Sequence, residues 1–157
     1  MKYLSKHLII FFLFLSNYSE AQVATNTSGF YNITIEKYYN HISETYGTSI
    51  KELNIDMPDF IEVESLMKSI DSVKINYIFS NENLEQLLRK EKKLTLSKFS
   101  IPKIEDDGII GLTLMHFHVN MDSDCYYYER YGTSTILFRF NCELGKYEFV
   151  SFSYSEI

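Results

Sequence analysis

His116-Phe117-His118 is the segment of this chain whose residue types and spacing could do chemistry. On a strand, residues two apart share a face, so both imidazoles could reach one divalent transition metal. Asp122 follows within reach of the strand end, and two histidines with one carboxylate suit zinc, copper or nickel. A plainer reading competes: two histidines on the solvent face of an antiparallel sheet, with Met115, Phe117, Val119 and Met121 turned to the core. The clean alternation favours that reading, and no cofactor is expected. Tyr126-Tyr127-Tyr128 and Tyr131 are the other unusual feature. Alternation sends Tyr126 and Tyr128 to one face and Tyr127 and Tyr131 to the other. Tyrosine brings contact area and a polar tip, which suits a surface that binds a ligand or a protein. The candidate binding set is therefore Tyr126, Tyr128, Tyr131, His116 and His118. Cross-strand aromatic packing is the favoured reading of the tyrosines.

The remaining constellations are incomplete. Asn120, Asp122 and Asp124 alternate like the start of a calcium loop, but Cys125 and Tyr131 stand where an EF-hand needs Gly and Glu. The carboxylate pairs Asp106/Asp107, Asp122/Asp124 and Glu62/Glu64 lie too close in sequence to flank a glycosidic bond across a cleft. There is no G-x-S-x-G nucleophile elbow and no glycine-rich phosphate loop. Cys125 could act as a nucleophile beside His116 or His118. Whether the chain is an enzyme stays open.

The first 21 residues read as an address. Lys2 and Lys6 precede the unbroken apolar run Leu8–Leu15, and Ser19-Glu20-Ala21 ends the stretch with small residues two apart. That is the layout of a secretory signal peptide, with cleavage expected after Ala21. Eight residues of helix cover only ~12 Å, too short to span a bilayer core of ~30 Å. The mature protein is expected in the periplasm or outside the cell, without membrane insertion after cleavage. The formal net charge of -6, with Arg89, Arg130 and Arg139 as the only arginines, argues against a nucleic-acid partner. Export also colours the two cysteines: in an oxidising compartment Cys125 and Cys142 are the only possible intramolecular pair, and a disulfide is favoured over two free thiols.

The elements that must position these residues follow from periodicity. Within the 157 residues, 22–30 reads as a disordered lead-in and 31–157 as one domain. Ile35, Tyr38, Tyr39, Ile42 and Tyr46 form one face of a helix, with Asn32 or Thr34 as N-cap and Gly47 as the stop. Phe60, Val63, Met67 and Ile70 suit a second helix over 59–71, although Ile61 and Val63 also alternate as in a strand. Val73, Ile75, Tyr77 and Phe79 predict a strand. Ser80 then caps a helix to about Glu91 with Leu84, Leu87 and Leu88 inward. Strands follow over Leu94–Ile101, Ile109–Met121, Cys125–Tyr131, Thr133–Glu143 and Tyr147–Ile157. For the last hairpin the apolar face favours a three-residue loop, Glu143-Leu144-Gly145, pairing Ile136 with Phe152 and Phe138 with Val150.

The whole predicts an α+β domain: about three N-terminal helices on one face of a curved antiparallel sheet of four to six strands. That order, together with the ending Gly145-Lys146-Tyr147-Glu148-Phe149-Val150, resembles the NTF2-like (SnoaL-type) superfamily, where many members close on a G-K-W turn. Ser100-Ile101-Pro102, Cys125 and the same ending also resemble uncharacterised exported bacterial proteins. The resemblance implies a cone-shaped domain with a pocket between helices and sheet, and an acid–base dyad there could use His41 or Asp71. It implies no particular activity. The expectation is an exported, non-enzymatic protein that binds a small ligand or a protein. The alternative is a small NTF2-like enzyme, or a metal-dependent one using His116 and His118.

Overall fold

The computed structural model describes residues 28–47, 50–123 and 125–157. The expected signal peptide, and the lead-in as far as residue 27, lie outside the described residues; residues 28–30 are helical rather than part of a lead-in. Helix α1 covers 28–46. Tyr31, Thr34, Ile35, Tyr38, Tyr39 and Ile42 recur at helical spacing and are all buried. Gly47 ends it with φ +80°, donating its N–H to the Ser43 carbonyl at 3.0 Å, a left-handed stop that only glycine adopts without strain. Asn32 and Thr34 are not caps but interior residues. Asn32 instead holds the connection that follows the first strand: its Nδ2 donates to the Ser65 carbonyl at 3.1 Å and its Oδ1 accepts from Met67 N at 3.0 Å.

Among the described residues eight strands form one mixed sheet: β1 (Glu52–Asp56), β2 (Ser69–Ile70), β3 (Val73–Ile78), β4 (Lys93–Phe99), β5 (Lys103–Ile104), β6 (Ile109–Asp122), β7 (Cys125–Asn141) and β8 (Lys146–Glu156). Their order is β2-β3-β1-β4-β6-β7-β8, with β5 also on β6. β1 lies parallel to both β3 and β4, and the other pairings are antiparallel. Helix α2 (Asn81–Glu91) carries the chain from β3 across β1 to β4. Ser80 caps it, its hydroxyl accepting from Asn83 N at 3.3 Å.

The two helices cover opposite faces. Leu112 and Leu114 of β6 pack with α1, whereas Phe117, Val119 and Met121 of the same strand pack with Leu84 and Leu88 of α2. This corrects the expected architecture of three helices on one face of an antiparallel sheet of four to six strands. Two elements explain the difference. Residues 59–71 form no α-helix: of the face expected to be buried, Phe60 is 63% and Val63 42% exposed and Met67 and Ile70 are half-buried, while Ile61 and Leu66 are the buried pair. They sit five apart, which no single helical face accommodates, and the segment makes only a 3-10 turn at Val63–Ser65 before β2. The second element is β1, a central strand absent from the expected order. It turns Leu53 and Ile55 inward, Met57 continues the alternation just past its end, and its parallel partners on both sides make the sheet mixed.

β7 is a single 17-residue strand rather than two. It bulges where a break was expected: Gly132 pairs with His116 and Arg130 with Phe117, which leaves Tyr131 as the extra residue. The last hairpin has the expected Ile136–Phe152 pairing, but its loop is four residues, Cys142 to Gly145, closed by Asn141–Lys146. Asn141 Oδ1 accepts from Glu143 N and Leu144 N at 3.0 and 3.1 Å, an Asx turn that sets the longer loop. A second bulge, at Val150, then restores the register, so Phe138 pairs with Phe149 rather than Val150.

Cys125 and Cys142, the pair for which a disulfide is expected, are not bridged in this structure. Both thiols are free and exposed. Cys125 begins β7 and Cys142 follows its last residue. At roughly 3.3 Å per residue the strand holds them on the order of 50 Å apart, against a bridging limit of about 7 Å between Cα atoms.

Candidate functional site

The chemistry collects on the α1 face of the sheet, around His116. β6 turns this histidine inward with Leu112 and Leu114, and its exposure is 0%. Its neighbour on β4 is Ser97, and on β7 it faces Gly132, two pairs from Ser134. The two serines bracket the ring: Ser97 Oγ lies 2.9 Å from Nδ1 and Ser134 Oγ 2.9 Å from Nε2. Tyr38 of α1 stacks on the imidazole, with centroids 4.1 Å apart and planes 12° from parallel.

The bulge in β7 brings in the next residue. As the extra residue, Tyr131 turns to the α1 face, stacks on His118 at 4.4 Å and sets its hydroxyl 3.4 Å from that of Tyr38. Gly132 is required beside it, because a Cβ there would lie 2.6 Å from the Tyr154 hydroxyl oxygen and 3.0 Å from Tyr154 Cζ. The missing side chain lets Tyr154 lie over β7, 5.8 Å from the His116 ring and 4.5 Å from that of His41.

Burial governs the electrostatics. It pushes the His116 pKa down to about 3, with smaller contributions from His41 and Arg130, so the imidazole is neutral at pH 7. A neutral imidazole has one N–H and one bare nitrogen, and a hydroxyl serves either, so both ring nitrogens are satisfied. Burial also raises the pKa of Tyr38 and Tyr131, which stay protonated phenols. Ser97 and His116 have the spacing of a nucleophile and its base. A base works best with a pKa near the working pH, and burial holds His116 well below it.

A cavity of about 210 Å³ opens beside this network. Ile42, Ile50 and Leu53 make its apolar wall, and Tyr38, Tyr131 and Ser97 line it opposite. Two wider depressions, of about 430 and 590 Å³, lie against α2. The first is bordered by the Lys98–Asp56 ion pair at 2.7 Å, in which each charge already has its partner. Of these three, the cavity beside α1 combines an apolar wall with the buried hydroxyl network, the combination typical of small-molecule sites.

The structure divides the expected binding set. His116, His118 and Tyr131 share the α1 face, but His116 is a fully buried core residue rather than a surface one. Tyr126 and Tyr128 are on the α2 face, in edge contact at 5.9 Å, with Tyr128 also 5.5 Å from Phe117. Asp122 is six positions along β6 from His116, ~20 Å away. Among the described residues no group of three His, Cys, Asp or Glu side chains could hold a metal. His116 could ligate one only by giving up a serine. His41 approaches the site through Tyr154, whereas Asp71 lies in the turn between β2 and β3 with φ 44°.

Ser97, Ser134, Tyr38 and Tyr154 were not anticipated. A trace of them exists in sequence: Ser97 alternates with Phe99, and Ser134 with Ile136 and Phe138, so each serine sits at a core position of its strand. No protein-family model matches the chain, and no curated protein or solved structure matches it either.

Proposed function

We propose that this chain is an exported protein that binds a small molecule in the cavity beneath α1 and does not transform it. The observation that carries the reading is the cavity itself, about 210 Å³, apolar along Ile42, Ile50 and Leu53 and hydroxyl-bearing along Tyr38, Tyr131 and Ser97. Ser97 in its polar wall is held in place by the bond to His116, and Tyr38 by stacking on the same ring. A site fixed in this way binds with little reorganisation, which favours affinity. The neutral, weakly basic His116 supports binding over catalysis. The N-terminal sequence supports export.

A thermal-shift screen of small neutral and charged compounds, run on the exported protein and on Ile42→Trp, tests this. The indole should fill the cavity, so compounds that stabilise the native chain should leave the variant unshifted. Compounds that stabilise both proteins equally, or a screen without any stabilising compound, would overturn the cavity reading. Ser97-dependent hydrolysis of an activated ester would overturn the non-enzymatic part.

A further inference from the structure

The cavity beside α1 has a floor and a mouth of different character. Tyr38, Ile42, Leu53 and Ser97 are buried and form its floor, whereas Tyr46, Glu52 and Thr95 line it while exposed and so mark its mouth. Two carboxylates stand at that mouth. Glu52 lines it directly, its Oε2 accepting from Asn76 Nδ2 at 2.9 Å, and Glu156 accepts from the Tyr46 hydroxyl at 2.9 Å. No lysine, arginine or histidine is among the described lining residues. Lys90 lies near enough to Glu52 for their charges to interact, but its ammonium is held by Glu91 at 2.9 Å.

Three of the lining residues are tyrosines, Tyr38, Tyr46 and Tyr131. A phenol ring carries negative π density on its faces and attracts a cation. All three stay neutral phenols: burial raises the pKa of Tyr38 and Tyr131, and the hydrogen bond to Glu156, with burial behind it, raises that of Tyr46 to about 12. Tyr46, 55% exposed, stacks on no other ring among the described residues, so it is the ring available at the mouth. An anion here would face Glu52 and the rings with no basic side chain in the described lining to pair it. A cation meets the opposite field. Its kind follows from the wall of Ile42, Ile50 and Leu53. An ammonium with N–H groups needs acceptors that an apolar wall does not offer. A fully alkylated nitrogen carries the charge without a donor and presents methyl groups to that wall.

We propose that this cavity takes a quaternary ammonium compound of the choline type, its methyl groups against Ile42, Ile50 and Leu53 and its charge among the three tyrosines and Glu52. The ligand class rests on the cavity reading above. The space equals that of about seven waters at ~30 Å³ each, room for a trimethylammonium group with a short alkyl arm.

Titrations of the full exported chain with choline and with dimethylbutanol, its isostere with carbon in place of the charged nitrogen, decide the matter. Choline should bind about tenfold tighter, the scale of a desolvated cation–π contact. Ile42→Trp should abolish the binding of both. Glu52→Gln keeps an acceptor for Asn76 and removes the charge, and Tyr46→Leu removes the ring at the mouth. Each should weaken choline roughly threefold and leave dimethylbutanol nearly unchanged. Equal binding of the two compounds, or a preference for choline that neither variant reduces, would overturn the cation assignment; loss of that binding in Ile42→Trp would leave the cavity reading standing. Binding of neither compound, or choline binding that survives Ile42→Trp, would overturn the ligand class, and the wider screen with Ile42→Trp then decides the cavity.

Discussion

Replacing His116 by phenylalanine should remove a specific part of the acid sensitivity of this protein. In the folded chain burial lowers the pKa of His116 from 6.5 to about 3. In the unfolded chain the imidazole takes up a proton near its ordinary value. Between those two values only the unfolded state is protonated at this site, so acid favours unfolding. The contribution of His116 to stability is complete above about pH 6.5 and is lost as the pH falls toward 3. The slope in that window is about 1.4 kcal/mol per pH unit. From pH 7 to pH 5 the loss works out at about 2 kcal/mol, and the full shift is worth on the order of 5 kcal/mol. Urea unfolding of the native chain and His116→Phe at pH 7, 6 and 5 measures it. The variant starts lower, because the Ser97 and Ser134 hydroxyls lose their partner at a cost of roughly 1–3 kcal/mol. Its stability should then fall less steeply, so the two curves converge by about 2 kcal/mol at pH 5. Contributions from groups remote from His116 are the same in both proteins and cancel in the difference. Parallel curves would refute the reasoning, as would an imidazole resonance of His116 that titrates between pH 5 and 8.

Other expectations follow from particular contacts. Gly132→Ala places a methyl group 2.6 Å from the Tyr154 hydroxyl and should cost about 1–3 kcal/mol in denaturant unfolding; adding Tyr154→Leu should recover most of it. Thr34 is 0% exposed and its hydroxyl has no hydrogen-bond partner among the described residues, so Thr34→Val should raise stability by about 1 kcal/mol, read as a higher urea midpoint at unchanged slope. Ser80→Ala should cost about 1 kcal/mol through loss of the bond to Asn83 N, whereas Ser80→Asp should retain the cap. Cys125 and Cys142 should both react with a thiol reagent in the native monomer; an intact mass two units low, unchanged after blocking, would show a bridge and contradict the strand geometry.

Local signals carried much of the fold. The periodicity of α1, the Ser80 cap of α2 and the alternation in β3, β4 and β6 are interactions within a few residues of one another, and they were legible without any tertiary knowledge. The segment over 59–71 was not, because its shape follows from Asn32, 33 and 35 residues away, holding Ser65 and Met67. β1 offers only a short alternation of Leu53, Ile55 and Met57, which gains its meaning from parallel partners contributed by distant sequence.

The candidate site divides along the same line. The sequence by itself determined that His116 and His118 would share a face of one strand and that Tyr126 and Tyr128 would face away from Tyr131, because side-chain alternation is a property of the extended backbone. Only the tertiary structure decided what those faces meet. α1 covers the His116 end of this face and leaves His118 exposed, so the same alternation that suggested two surface histidines placed His116 in the core between two serines and beneath Tyr38. The bulge that turns Tyr131 inward and the separation of Cys125 from Cys142 along one strand likewise arise from pairing between segments, and strand pairing is not encoded in the spacing within either one.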